Sequence, residues 1–177
     1  RNAYTVSASA ENGSVAIKTG TDTVEGDTVE NVPGGTAVSF TAHAERGFRL
    51  KCWKINGTES EETGDVLTIP ALGENTEAEA VFEAIGSFTA TAAVTPAERG
   101  RMLYTLKNIY GDIVGEEKSV MPDDGLMVYE GESILFRAEP EAGYMIEQWE
   151  LDGKYDVSSS KDYPGGEVTV LSLIHIS

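Results

Sequence analysis

The side chains that commonly do chemistry in proteins are few and widely spaced in this sequence. It contains two histidines, His43 and His175, and a single cysteine, Cys52. Zinc sites take four ligands at short recurring spacings, which these three residues do not provide. Nucleophilic catalysis needs a Ser or Cys beside a His base, and the spacing indicates no such pair. The sequence therefore predicts no catalytic residue, no metal site and no cofactor, and we expect that the protein is not an enzyme.

Glycine-containing segments offer two other kinds of ligand chemistry. Gly20–Asp27 and Met121–Met127 place oxygen ligands near a glycine, but neither has the regular ligand layout of a calcium loop. The pairs Gly34-Gly35 and Gly165-Gly166 lack the following helix and lysine of a phosphate-binding loop. We interpret the first two as solvated turns and the two glycine pairs as hairpin turns.

The aromatic residues are open to two interpretations. Trp53 and Trp149 are either stacking platforms for sugars or anchors of a core, and their matching positions in two similar segments favour the core. If the protein binds a ligand, we expect the binding surface among the tyrosines of its second half, which are Tyr104, Tyr110, Tyr129, Tyr155 and Tyr163.

Charge and composition exclude several classes of protein. With 13 basic and 30 acidic residues the net charge is −17, the wrong sign for binding phosphate backbones or anionic membrane surfaces. A hydrophobic content of 40% is enough for ordered domains rather than a disordered chain. No stretch approaches the roughly 18 consecutive apolar residues of a membrane helix. A lone cysteine excludes a disulfide-stapled scaffold, and we expect Cys52, which lies among apolar residues, to be a core thiol.

An internal repeat organises the chain. Gly34–Gly57 and Glu130–Gly153 align without a gap at an offset of 96 residues, whereas the opening segments Tyr4–Val6 and Phe88–Ala90 match at an offset of 84. The second copy therefore holds about twelve extra residues, around Leu103–Asp124. We expect two tandem modules, residues 1–86 and 87–177. The equivalent pairs include Phe40 and Phe136, Gly47 and Gly143, Phe48 and Tyr144, Trp53 and Trp149, and Gly57 and Gly153.

Hydrophobic residues alternate with a period of two, which predicts strands with one face on a core. Asn56-Gly57 and Asp152-Gly153 suit hairpin turns in which both central residues have positive φ. In Phe48–Ile55, Trp53 falls out of phase with Leu50, which predicts a bulge or a strand buried on both faces. The predicted strands of the first module are Tyr4–Ser9, Ser14–Lys18, Val38–Ala42, Phe48–Ile55, Val66–Ile69 and Thr76–Phe82.

These motifs carry a family resemblance. The Tyr4-Thr5-Val6 opening, the Gly-Thr-x-Val-x-Phe-Thr-Ala strand that begins at Gly35, the twice-repeated Gly-aromatic-x-x-x-x-Trp block and the closing segment Thr76–Glu83 resemble the divergent branch of the internalin-type B-repeats. The resemblance covers nearly all of residues 3–84 and about two thirds of 88–170. It implies all-β modules, β-grasp-like or small sandwiches, found in tandem in bacterial surface proteins.

The resemblance also implies a function outside the cell. We expect a non-catalytic module of a bacterial surface or cell-wall protein, acting as a spacer, stalk or adhesion module. The alternatives are a module that binds a host or cell-wall glycan or a host protein, and an accessory domain of a secreted enzyme. The expected partners are such a glycan or protein and neighbouring repeats, with no nucleic acid.

The end of the second module departs from the repeat. Val168–Val170 matches the strand Val66–Ile69, but only seven residues, Leu171–Ser177, remain where the first module has its closing strand. We expect these seven residues not to be the natural end of the module. We also expect the second module, incomplete at its end, to be less stable than the first, because an uncovered strand edge and a smaller core both cost stability.

Overall fold

A computed structural model describes residues 2–24, 27–94, 96–120 and 125–145, and the backbone of Asp156–Ser159 and Glu167–Leu171. The chain divides into two compact units, residues 1–85 and 86–177. Strands make up both units, and the described residues contain one short 3-10 turn, Ala97–Arg99, and no α-helix. The all-β prediction is therefore confirmed.

The first unit consists of two packed sheets. One has the strand order β4-β1-β9-β6-β7, in which β1 and β9 are parallel and the other neighbours antiparallel, and the second has the order β3-β2-β5-β8. The strands are β1 (Ala3–Ala10), β2 (Gly13–Thr19), β3 (Asp22–Val24), β4 (Thr28–Pro33), β5 (Val38–Ala44), β6 (Phe48–Ile55), β7 (Thr58–Glu59), β8 (Val66–Ile69) and β9 (Thr76–Ala84).

The inner faces of both sheets form one core, which gives the unit its sandwich form. Phe40 on β5 and Trp53 on β6 are both fully buried, with ring centroids 6.5 Å apart and planes tilted by 53°. The strands contribute most of the remaining core residues, since every second residue of a strand points inward. The other buried residues of the cluster are Val6, Ala8, Ile17, Val32, Val38, Ala42, Leu67, Leu72, Ala78 and Ala80.

All six predicted strands of the first unit are present, together with three strands that the sequence pattern did not predict. The missed strands β3, β4 and β7 all lie at the edge of a sheet. β4 contains Asn31 at a φ of 60° and ends at Pro33, and both features are typical of edge strands rather than central ones. β3 and β7 have only three and two residues, too few for a periodic pattern.

The hairpin turn predicted at Asn56-Gly57 is confirmed, whereas Gly34-Gly35 is a turn but not a hairpin turn, because the strands it joins, β4 and β5, lie in different sheets. The interpretation of Gly20–Asp27 and Met121–Met127 as solvated turns is wrong in part, since Asp22–Val24 form β3 and Leu126 and Met127 belong to a strand of the second unit. Asn56 and Gly57 have φ values of 48° and 80°, as a type I′ turn between β6 and β7 requires. Gly35 has a φ of 85°, and the Thr36 amide donates to the Pro33 carbonyl at 3.1 Å, which closes a turn. Gly20, at a φ of 60°, lies in the two-residue loop between β2 and β3.

A bulge in β6 explains why Trp53 faces the core although it is out of phase with Leu50 in the alternating pattern. The pairing with β9 shifts register between Leu50 and Cys52, so Lys51 is an extra residue on β6. Leu50 and Trp53 therefore both reach the core although they are three residues apart. Cys52 lies next to Trp53 and so on the opposite face, where it is half-buried and outside the core cluster. The expectation that Cys52 is a core thiol is wrong.

The second unit repeats most of this plan in its described part, but its larger sheet has one more strand at its edge than the equivalent sheet of the first unit. Its sheets have the orders β10-β13 and β12-β11-β14-β16-β15. The strands are β10 (Ser87–Ala90), β11 (Gly100–Lys107), β12 (Ile113–Ser119), β13 (Leu126–Tyr129), β14 (Ser133–Pro140), β15 (Asp156–Ser159) and β16 (Glu167–Leu171). β10, β11, β13, β14 and β16 correspond to β1, β2, β4, β5 and β8 of the first unit.

Strand register confirms this equivalence. Leu67 pairs with Phe40 in the first unit, and Val168 pairs with Phe136 in the second, as the matching of Val66–Ile69 with Val168–Val170 predicts. Gly13 pairs with Ala44 and Gly100 with Pro140, so these two glycines are equivalent. A core of Ala90, Met102, Val128, Ile134 and Phe136 lies beneath the strands of the second unit.

The register also locates the inserted residues. The offset between equivalent residues rises from 84 at β10 to 87 at Gly100 and 96 at Val128, so three extra residues precede β11 and nine follow it. Eight of the nine lengthen the β11–β12 hairpin, which has 20 residues against 12 in the β2–β3 hairpin, and its loop is closed by Asn108. The Asn108 side-chain oxygen accepts from the Tyr110 and Asp112 amides at 3.0 Å each. The insertion is therefore a long hairpin and not an added domain.

Several sequence interpretations lie outside the described residues. They concern Trp149, Tyr155, Tyr163, His175, the turns Asp152-Gly153 and Gly165-Gly166, residues 121–124 of Met121–Met127, residues 25–26 of Gly20–Asp27, and residues 172–177 of the terminal segment. Leu171 is the last residue of β16. No described helix is long or apolar enough to cross a membrane.

Candidate functional site

The residues singled out for chemistry do not come together in the described structure. His43 is exposed on β5, and Cys52 lies on the outer face of β6. Within the described ranges no three His, Cys, Asp or Glu side chains are grouped so that they could hold a metal ion.

Two grooves open on the surface of the first unit. A groove of about 440 Å³ runs between β1 and β2 and is lined by Ala, Ser, Gly and Val residues, with Asp27 as its one titratable side chain. A second groove, of about 530 Å³, lies beside Cys52 and is lined by Lys51 and the acidic segment 59–63. The described lining of the second groove includes Cys52 together with Glu59, Glu61 and Glu62, and neither described lining includes a histidine.

The tyrosines proposed as a binding surface are only partly available. Tyr104, Tyr110 and Tyr129 are half-buried, and Tyr104 packs against the core of the second unit. Tyr144, which aligns with Phe48 in the repeat and was not among the tyrosines expected to bind, is 46% exposed. The Arg99 guanidinium lies over its ring, 4.7 Å from the centroid. The repeat alignment did not indicate that Tyr144 is exposed, because its equivalent in the first unit, Phe48, is half-buried.

An ionic network on the outer face of the second unit is the densest charge arrangement among the described residues. Arg137 on β14 donates to both oxygens of Glu117 on β12, at 3.0 and 2.6 Å. It also donates to Glu139 at 2.6 Å, and Glu139 accepts from Arg101 on β11 at 2.5 Å. The network therefore ties three neighbouring strands together across the face opposite the core.

Hydrogen bonding within the network shifts its acid–base equilibria. The hydrogen bond from Arg137 lowers the pKa of Glu117, and those from Arg137 and Arg101 lower the pKa of Glu139. The same bonds raise the pKa of Arg137. These groups are all at least about one third exposed, which limits what each pair contributes to stability.

Acid is expected to remove the contribution of this network to stability. Because the folded state lowers the pKa of Glu117 and Glu139, their contribution is fully present above the ordinary glutamate pKa of 4.5 and is lost as the pH falls below it. Arg137→Gln should therefore destabilise the second unit at pH 7, and the difference from the parent chain should shrink towards pH 3. Denaturant unfolding at a series of pH values measures this.

Lys107→Gln is the matched control for this prediction. It removes the same charge from β11, but Lys107 takes part in no ion pair of the described residues. A constant difference between Arg137→Gln and the parent chain from pH 7 to pH 3 would contradict the assignment.

Taken together, these features define a class of protein, namely a tandem of small all-β repeat modules. The model of the divergent InlB B-repeat domain family matches residues 4–86 and 113–171, and the chain belongs to that family. The match omits residues 87–112, which hold β10, β11 and the hairpin loop. No curated protein and no solved structure gives a significant match to the chain.

Proposed function

We propose that the chain is a non-catalytic spacer segment of a bacterial surface protein, positioned outside the cell. The observation that carries this proposal is that each unit has its own hydrophobic cluster, built from its own strands. Modules of this kind extend a chain by repetition, and each adds length without needing a ligand. The net charge of −17 supports the same role, because like-charged modules repel one another and resist association.

Independent folding of the first unit is the expectation that follows. The fragment 1–86 contains all nine strands of the two sheets and the complete Phe40–Trp53 core. Expressed alone, it should unfold in one cooperative transition, at a midpoint within a few degrees of the corresponding transition in the full chain. Calorimetry on both proteins measures this. A fragment that shows no cooperative transition, while the full chain does, would contradict the spacer model.

A binding role is the second candidate, and one observation favours it. Tyr144 presents an exposed ring backed by Arg99, an arrangement that suits stacking against a sugar or a peptide. A glycan array and immobilised host matrix proteins, probed with the full chain, separate the two candidates. The spacer model predicts no specific signal. The binding model predicts a signal that Tyr144→Ala abolishes and that Phe88→Ala, which removes another exposed ring, leaves unchanged.

A further inference from the structure

The two units differ at one edge of their opening strand. In the first unit β1 lies between β4 and β9, and Val6–Ala10 pairs in parallel with Thr76–Ala80. In the second unit the equivalent strand β10 pairs with β13. In the part of the chain that the structure describes, no strand lies at the other edge of β10, where β9 would be expected by analogy.

The strand itself is shorter on this side. β1 has eight residues, whereas β10 has four and ends at Ala90. The next four residues, Thr91–Val94, are not in a strand, although their sequence continues the strand pattern: Ala92 and Val94 pack against the core and Thr91 and Ala93 are exposed. Their equivalents in the first unit, residues 7–10, form a strand paired with β9. The residues by which β10 is shorter than β1 are therefore those whose equivalents in the first unit pair with β9.

The direction of the backbone groups follows from the pairing with β13. The Glu130 amide donates to the Gly86 carbonyl at 2.8 Å, so the Gly86 position is hydrogen-bonded to the β13 side. Successive residues of a strand direct their N–H and C=O groups to opposite edges. Thr89 therefore presents these groups to the edge at which no described strand lies, and the same alternation continued along the chain adds Thr91 and Ala93. Unpaired groups of this kind are a template for another strand.

We propose that Thr89–Val94 is an acceptor edge for an extended peptide that pairs with it in parallel and presents small apolar side chains to the core. The chemistry of the occupant is given by β9, whose inward residues Thr76, Ala78 and Ala80 are 5%, 0% and 2% exposed. Backbone hydrogen bonds supply the affinity of such strand addition, and the alternate side chains supply its specificity. The acceptor edge is a binding site beyond the spacer role and does not depend on that role.

The probe is a synthetic peptide with the sequence of residues 76–84, capped at both ends and added to the full chain. Hydrogen exchange of the Thr91 and Ala93 amides is measured by NMR. At a peptide concentration about ten times the dissociation constant, exchange at both amides should slow by about tenfold. A control peptide carries glutamine in place of the alanines at positions 78 and 80, and it should give no protection because its inward side chains are too large and polar.

Two proline variants test the geometry of pairing. Ala93→Pro removes an N–H that faces the acceptor edge, and it should weaken binding of the peptide by about tenfold. Ala92→Pro removes an N–H that faces the other way, and it should change binding by less than about threefold. Equal losses in both variants, protection by the control peptide, or no protection at millimolar peptide would overturn the proposal. Slow exchange of both amides before any peptide is added would also overturn it.

Discussion

Replacing Trp53 with alanine is expected to unfold the first unit. The indole is fully buried between the sheets, packs against Phe40, and donates from Nε1 to the Gly64 carbonyl at 2.8 Å. Truncation of a buried Trp costs about 3–5 kcal/mol, which approaches the total stability of a small domain, about 5 kcal/mol at the low end. Calorimetry of the full chain should show the transition of the first unit lost while that of the second remains.

Two controls identify the cause of the loss. Trp53→Phe keeps a ring in the core but leaves the Gly64 carbonyl without its indole donor, so it should cost less, about 1–3 kcal/mol. Val66→Ala truncates an apolar side chain of the same unit that is 47% exposed, and it should cost less than about 0.5 kcal/mol. A folded Trp53→Ala protein with an unchanged melting temperature would show that the residue is not a core anchor.

Adding one methyl group at Gly13 is expected to destabilise the same unit by about 1–3 kcal/mol. A Cβ at this position would lie 2.6 Å from the His43 carbonyl oxygen and would also overlap the ring of Phe82. β2 passes β5 so closely here that only glycine fits, and its equivalent Gly100 is in the same situation, with a Cβ 2.8 Å from the Glu139 carbonyl oxygen. The measurement is denaturant unfolding of Gly13→Ala.

Gly73→Ala is the matched control for this second prediction. A Cβ at Gly73 would have no heavy atom within 4 Å, and the residue does not need positive φ, so the stability should change little. Similar unfolding midpoints for the two alanine variants would mean that the contact at Gly13 relaxes at no cost, contrary to the prediction.

The alternation of apolar and polar residues predicted the strands because each strand has one face on a core. Val38, Phe40 and Ala42 are buried and Ser39 and Thr41 are not, as a period of two requires. The same reasoning failed for Cys52, because neighbouring apolar residues indicated burial while the extra residue at Lys51 turned the thiol to the outer face. The bulge was foreseen from Trp53, but its position within the strand depends on pairing with β9, which is distant in sequence.

The candidate sites depend on such distant pairings more than the strands do. Arg137 and Glu139 share a face because they are two residues apart, and this much is visible in the sequence. Glu117 joins them only through the register of the β11–β12 hairpin, where two extra residues on β12 shift the pairing. The sequence predicted an uncovered strand edge in the second unit, but only a comparison of the described neighbours of β1 and β10 identifies β10 as the strand concerned.

The parallel pairing of β1 with β9 determines how the first unit bears mechanical load. These are its first and last strands, and five consecutive residue pairs, from Val6 and Thr76 to Ala10 and Ala80, join them. Because both strands run in the same direction, traction on the two ends of the unit slides one along the other instead of peeling them apart. The hydrogen bonds between β1 and β9 are then strained together rather than one after another. Tension applied to the two ends of the unit would therefore act on the β1–β9 pairing in the direction in which that pairing resists most.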